Sequence, residues 1–243
     1  MEYKPFALTH ITYPASDPLS PFLALLSLTP PFAVCALCSS FIIYKDVLAA
    51  YLLMGLISCA AFCSILKDIV EEPRPFRDDG YGDNDTMDYG MPSNHSAFGF
   101  FGATFVALYV LRGGNMWSWK LPSSRRRLQS YANPRDARDA ILIPSLAKED
   151  WDALVKQYNK LHTSTTVFCT TLLAIGCAYS RIHLGYHTIN QVVVGSFLGC
   201  LLGYAWHRLF EIKCTRDWLE WLDLLLNELD ARRAILVKRE KDD

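Results

Sequence analysis

The sequence predicts an all-α protein of the membrane: a polytopic helical bundle with about five transmembrane helices and an amphipathic helix near the C-terminus. Two observations carry this expectation. The apolar residues, 51% of a 243-residue chain, are gathered into charge-free blocks. Lysine and arginine are confined largely to particular segments between and after those blocks. A hydrocarbon core of about 30 Å is crossed by roughly 20 apolar residues of helix, which is the scale of the blocks.

Taken in order, residues 1–18 are polar and mixed, without the basic start and short apolar run of a cleavable leader. They are expected to form a luminal N-terminal segment. A membrane-embedded domain is expected over 19–210. Within it, 19–44, 47–66, 163–180 and 188–206 are free of charge, and so is 96–111, which reaches spanning length with its flanks. The turn-rich, basic stretch 113–160 reads as a loop. The last segment, 211–243, places Trp218, Trp221, Leu222, Leu225 and Leu229 at helical spacing within 216–237. That helix is expected to lie on the membrane face or dock on the protein. Its acids (Asp217, Glu220, Asp223, Glu228 and Asp230) make a sixth crossing costly.

Charge sets the orientation. Lys4 alone precedes the first block, ten lysines and arginines lie from Arg112 to Lys160, and eight from Arg208 to Lys241. The positive-inside rule puts the last two groups in the cytoplasm. Five crossings then put the N-terminus, the loop 67–95 and the turn 181–187 on the opposite face. That loop carries a glycosylation sequon at Asn84. Seven of the eight cysteines fall inside apolar blocks and read as small apolar residues. No disulfide framework is expected. A net charge of −1, with no basic stripe interleaved with aromatics, excludes nucleic acid as an expected partner. Membrane lipids are the expected surroundings, and nothing signals a protein partner.

Three stretches converge on the non-cytoplasmic face. "KDIVEEPRP" holds Lys67 and Arg74, "MPSNH" holds Ser93, Asn94 and His95, and "SRIHLGYHTINQ" holds Arg181, His187 and Gln191. Three fixed cations suit a phosphate group, since arginine offers a planar fork to its oxygens and lysine a point charge. Two imidazoles can divide the work of nucleophile and general acid. Ser93 or Asn94 can cap the helix that follows, leaving first-turn amides aimed at an anion. Alone, each cation would read as an anchor at the membrane surface; their joint occurrence on one face points to a site. His183, four residues before His187, invites a zinc pair, but no third ligand of suitable type is near, so no metal site is expected.

These stretches are the three signatures of the type 2 phosphatidic acid phosphatase (PAP2) superfamily, which the chain resembles over roughly residues 65–210. They read Lys67…Arg74-Pro75, Pro92-Ser93-Asn94-His95 and Ser180-Arg181…His187. The resemblance implies a helical-bundle phosphatase without metal or organic cofactor. It implies that His187 accepts the phosphoryl group and His95 protonates the leaving group. Lys67, Arg74 and Arg181, with Ser93 and Asn94, would then hold the phosphate oxygens. Two positions depart from the pattern: Gln191 stands where an aspartate usually orients the nucleophilic histidine, and Asn94 where a small residue is usual. Gln191, "KDIVEEPRP" and the N-terminal "LTHITYP" resemble the dolichyl diphosphatase branch. That branch implies hydrolysis of a polyisoprenoid diphosphate on the luminal side of the endoplasmic reticulum, with a cytoplasmic C-terminus. Other expectations are a superfamily phosphatase acting on other lipid phosphates, a lipid phosphotransferase using the same histidines, and a non-catalytic membrane protein, against which the paired His95 and His187 speak. A diphosphate's leaving group is a phosphate of second pKa about 6. It needs less help than an alkoxide, so a His–Gln pair can suffice. Asp at 191 is expected to extend activity to monophosphates.

Overall fold

A computed structural model describes residues 3–6, 11–14, 16–76, 89–113 and 148–242. Two short strands, β1 (Tyr3–Phe6) and β2 (Ile11–Pro14), pair antiparallel with Tyr3 opposite Pro14. Seven helices follow among the described residues: α1 (Ser20–Leu26), α2 (Thr29–Tyr44), α3 (Val47–Val70), α4 (Asn94–Leu111), α5 (Lys148–His183), α6 (Ile189–Glu211) and α7 (Lys213–Asp242). Five stretches among the described residues have the length and apolarity to cross a membrane: Ser20–Tyr44, Val47–Val70, Asn94–Leu111, Lys156–His183 and Ile189–Glu211. The Asn84 sequon and most of the basic stretch lie outside the described residues.

Two boundaries differ from those read in the sequence. The first apolar block is two helices, broken between Leu26 and Thr29. Pro30 and Pro31 cause the break: neither has an amide hydrogen, and each ring crowds the carbonyl four residues earlier. The Thr29 hydroxyl donates to the Leu26 carbonyl at 2.6 Å, filling one acceptor that the break leaves open. The second difference is α5, which begins at Lys148, so the stretch 148–160 belongs to a helix continuous with the fourth span. Its lysines, glutamate and leucine are good helix formers and extend it into the basic segment.

Between the first two spans the chain turns in two residues. Lys45 takes a left-handed backbone (φ 53°) and closes α2. The Asp46 carboxylate then accepts from the amides of Leu48 and Ala49, both at 3.1 Å, and starts α3.

The bundle centres on α4, which packs between α5 and α6. Phe101 and Phe105 of α4 meet Leu48, Tyr51 and Leu52 of α3 and Phe210 of α6 in the main apolar cluster. Tyr51 and Trp206 stack at 5.0 Å, and each polar tip bonds the other's backbone carbonyl (3.1 and 3.2 Å). This leaves neither donor unpaired in lipid. Large apolar side chains such as Phe22, Phe32, Phe62, Phe168 and Phe197 face outward, while Ser27, Lys67, Ser180, Arg181 and Gln191 are buried. Polar inside and apolar outside is the arrangement that a bilayer solvates. In α7, Leu219 is buried in the main cluster with Leu222 and Leu226 packed against it, while Trp218, Trp221, Leu225 and Leu229 point outward. The helix therefore docks on the protein along one stripe and keeps a second apolar stripe free on its outer side.

Gly195, Gly199 and Gly203 set the distance between α6 and α4. A Cβ at Gly195 would lie 2.6 Å from the Ser93 carbonyl, one at Gly203 2.6 Å from that of Phe101, and one at Gly199 would overlap the Ala97 carbonyl. Backbone meets backbone here, so neither side can yield. Gly199→Ala is expected to cost about 1–3 kcal/mol, the range of overpacking. It would lower the unfolding temperature of the detergent-purified protein, and an unchanged midpoint would contradict the packing described.

Candidate active site

Each site residue is placed by a helix end. Lys67 lies in the last turn of α3, which Glu71 closes with a left-handed φ of 53° and a backbone N–H that donates to the Lys67 carbonyl at 2.9 Å. The chain then runs out through Pro73-Arg74-Pro75. Ser93 is the N-cap of α4 by backbone conformation, but its side chain makes no capping bond. Its hydroxyl instead accepts from Ser96 at 3.2 Å, and its amide donates to the Gln191 carbonyl at 3.1 Å. The first-turn amides of α4 thus receive no capping bond from the Ser93 side chain. His95 is the second residue of that helix, and the Oδ1 of Asn94 is buried without a hydrogen-bond partner among the described residues.

The turn from α5 to α6 folds over Arg181. Its carbonyl accepts from the amides of Tyr186 (3.0 Å) and His187 (3.1 Å), and Gly185, at φ 72°, supplies the left-handed residue this reversal needs. Arg181 is buried at 5% exposure, with its guanidinium carbon 3.9 Å from the centre of the Tyr186 ring. Its Nη1 donates to the Ser27 hydroxyl at 2.7 Å. The tyrosine is held in turn: its hydroxyl accepts from the Thr12 amide at 3.0 Å and donates to the Thr12 carbonyl at 3.2 Å. The break in the first span therefore sets an acceptor against the arginine. Ser27→Ala leaves that bond unmade. A severalfold rise in KM is expected, from a hydrogen bond worth about 1 kcal/mol or more to a charged group. A KM equal to that of the parent would show that Ser27 has no part in placing Arg181.

Gln191 is fully buried and uses every polar atom of its amide. Its Oε1 accepts from His187 Nδ1 at 3.0 Å and from the Thr188 amide at 3.2 Å. Its Nε2 donates to Glu72 Oε1 at 3.0 Å and to the Pro73 carbonyl at 2.9 Å. Thr188 completes a capping box on α6 by accepting from the Gln191 amide at 3.3 Å. The neighbours fix which end of the amide is oxygen, because Thr188 offers an N–H and Pro73 a carbonyl. His187 must then carry its proton on Nδ1, leaving the Nε2 lone pair unprotonated.

His187 is 3% exposed. Burial first, then the charges of Arg181 and Arg74, holds its imidazole down at about 3 from an ordinary 6.5, against the opposing bond to Gln191. His187 is therefore neutral at pH 7. Below 6.5 the unfolded chain takes up a proton that the folded one refuses. His187 thus withdraws stability as pH falls from 6.5 towards 3 and has no effect above that window. In a histidine-labelled sample the His187 resonance should not titrate between pH 5 and 8; a midpoint near 6.5 would contradict this burial.

The three segments meet. Arg181, Arg74 and Lys67 all act electrostatically on His187, and the same three cations and His187 act on His95. Both histidines and all three cations thus share one cluster, against which Ser93 and Gln191 are packed through their backbone bond. His183 stands apart. Its Nε2 meets Asp17 Oδ2 at 2.5 Å, and its Nδ1 the Tyr179 hydroxyl at 3.4 Å. The bond from His183, ahead of those from Ser20 and the Leu19 amide, lowers the Asp17 carboxyl to about 2. His183 ties the N-terminal segment to α5 and does not line the cluster.

Five residues here escaped the sequence reading. Thr188 carried a signal, the T-x-x-Q pattern of a capping box. Gly90 carried a weaker one: a Cβ there would overlap the Gln191 amide. Ser27, Glu72 and Tyr186 carried none, because Arg181, Gln191 and Thr12, to which they bond, lie 154, 119 and 174 residues away.

The PAP2 superfamily profile matches residues 48–213. The chain is 29% identical over 204 residues to "Dolichyldiphosphatase 1" of Dictyostelium discoideum, covering 84% of this chain and 70% of that protein. It is 29% identical over 219 residues to "Dolichyldiphosphatase" of Saccharomyces cerevisiae, covering 89% and 74%. It is also 29% identical over 206 residues to "Lipid phosphate phosphatase gamma" of Arabidopsis thaliana, covering 84% and 73%. No solved structure matches the chain significantly. With its profile match spanning more than half of the chain, and with five membrane-length stretches among the described residues bringing the superfamily's three signatures to one cluster, the protein belongs to the PAP2 superfamily.

Proposed function

We propose that the protein hydrolyses dolichyl diphosphate to dolichyl phosphate and inorganic phosphate. The reaction takes place at the luminal face of the endoplasmic reticulum membrane and returns the lipid carrier to N-glycosylation. The observation that carries this is the setting of His187: a neutral imidazole with its Nε2 lone pair fixed by Gln191, held among Lys67, Arg74 and Arg181. The names of the Dictyostelium and yeast relatives support the substrate. The distribution of lysine and arginine supports the luminal face.

In the reaction, His187 Nε2 attacks the terminal phosphorus. The bond from that phosphorus to the bridging oxygen breaks, and dolichyl phosphate leaves with the electron pair. His95, protonated once the anionic diphosphate offsets the cations around it, supplies the leaving group's proton. Water then attacks the phosphohistidine while His95 takes its proton, releasing phosphate and restoring both imidazoles. Phosphoryl transfer asks mainly for positioning and charge stabilisation. Lys67, Arg74 and Arg181, with Ser93, Asn94 and the first-turn amides of α4, hold the equatorial oxygens. The isoprenoid lies in the bilayer against the apolar outer faces of the spans.

The Arabidopsis relative, named as a lipid phosphate phosphatase, favours a second reading in which lipid monophosphates are also substrates. Phosphate release by the purified protein from dolichyl diphosphate, dolichyl phosphate and phosphatidic acid, with a chelator present, separates the two. The diphosphate should be turned over fastest, with no loss to the chelator. Equal rates on all three would remove the diphosphate assignment, and chelator sensitivity would remove a mechanism resting on side chains alone. Added acceptor alcohols that capture the phosphoryl group would turn the reading towards a phosphotransferase.

A further inference from the structure

A neutral amide is a weak companion for a histidine that becomes positively charged when phosphorylated, since it orients the ring without offsetting the charge. The surroundings of Gln191 resolve this. The far end of its amide meets a carboxylate: Glu72 Oε1 accepts from Nε2 at 3.0 Å, two residues before Arg74 in the segment that closes α3. The Pro73 carbonyl takes the other N–H at 2.9 Å. Glu72 is held through its own backbone, whose carbonyl accepts from the Gly90 amide at 2.7 Å. Gly90 leaves room for the amide, because a Cβ there would overlap it. Residues 72, 90 and 191 thus interlock around one side chain whose two ends face opposite chemistry.

We propose that Glu72 is a positioning residue of the reaction, the charged end of a His187–Gln191–Glu72 relay. It supplies through the Gln191 amide the negative charge that other members of the superfamily place directly beside the nucleophile. The inference rests on His187 being the nucleophile. A carboxylate at the N–H end of an amide pulls on its protons and enriches its oxygen in electron density, which strengthens the bond that the oxygen accepts. Such polarisation along a hydrogen-bond chain adds a fraction of a bond's strength. The relay is therefore gentler than a direct carboxylate–imidazole pair. That suits a reaction whose leaving group is a phosphate and therefore needs only modest assistance.

The test uses the purified full-length protein and dolichyl diphosphate. Glu72→Gln keeps the shape and still offers an oxygen to Gln191 Nε2, but carries no charge. Its kcat should fall on the order of tenfold, the lower range for groups that act through another ligand, with KM within about twofold of the parent. Glu72→Asp keeps the charge one methylene short and should retain more kcat than Glu72→Gln. The relay is overturned if Glu72→Gln turns over at the parental rate. It is also overturned if the two variants lose kcat equally, since shape and not charge would then be what Glu72 supplies. His187→Ala measured alongside keeps the two ideas apart. An inactive His187→Ala beside a fully active Glu72→Gln removes the relay alone, whereas an active His187→Ala removes the nucleophile reading as well.

Discussion

His187→Ala is expected to lower phosphate release from dolichyl diphosphate on the order of 10⁴-fold or more, the scale seen when a nucleophile or its base is removed from a catalytic unit. Among the described residues the geometry leaves no substitute. His183, the nearest imidazole in sequence, is turned to Asp17 and the Tyr179 hydroxyl. His95 sits on another helix, at the start of α4, and in the proposed mechanism its proton serves the leaving group. Two measurements check this together. Steady-state release gives the loss in kcat, and an acid quench during turnover of the parent protein traps an acid-labile phosphoenzyme that the variant should lack. Removing the side chain leaves the cations in place, so the variant should still bind the diphosphate and compete for it when mixed with the parent. Release at even a hundredth of the parental rate, or a trapped phosphoenzyme in the variant, would mean that His187 is not the nucleophile.

The extent to which this site was legible depends on the distance over which each part is specified. The spans could be read because lipid requires charge-free runs, and the runs are local. His95, Arg181 and His187 could be read because each stands at a helix end within a short signature. The break in the first span was marked by Pro30-Pro31 but masked by the unbroken apolarity around it. Ser27 and Arg181 are 154 residues apart, and Gln191 and Glu72 are 119 apart. No periodicity links such pairs, because they are brought together by the packing of α1, α3 and α6 around α4 and α5. The reading of Gln191 shows the consequence. From the sequence, it reads as a departure from aspartate that can still orient His187 and that suits a diphosphate substrate. Within the fold it is also the one side chain that satisfies an N–H at Thr188, an imidazole at His187 and two acceptors at Glu72 and Pro73.

That four-way fit changes what restoring the superfamily's aspartate should do. Gln191→Asp by itself is expected to lower turnover of the diphosphate on the order of a hundredfold. The new carboxylate would have no N–H to give the Pro73 carbonyl and would face Glu72, a like charge, from a fully buried position. Two carboxylates in one site cannot both stay ionised without cost, so the pair takes up a proton. The charge intended for His187 is then largely cancelled. The remedy is to remove the opposing charge: Glu72→Gln combined with Gln191→Asp turns the order of the pair around, with the amide donating to the carboxylate and the carboxylate meeting His187 directly. The double variant should recover most of the diphosphate activity that Gln191→Asp loses, so that the two changes are strongly non-additive, as expected of side chains in contact. It should also be the variant that gains phosphate release from dolichyl phosphate, whose alkoxide leaving group needs the stronger nucleophile. The comparison is made by kcat on both substrates for the parent, the two single variants and the double. If Gln191→Asp alone turns over monophosphates while Glu72 is intact, the opposing carboxylate does not matter and the coupling argued here is wrong. If the double variant is no better than Gln191→Asp on the diphosphate, the glutamine is required for its shape, and its exchange for aspartate is not compensated by the charge at Glu72.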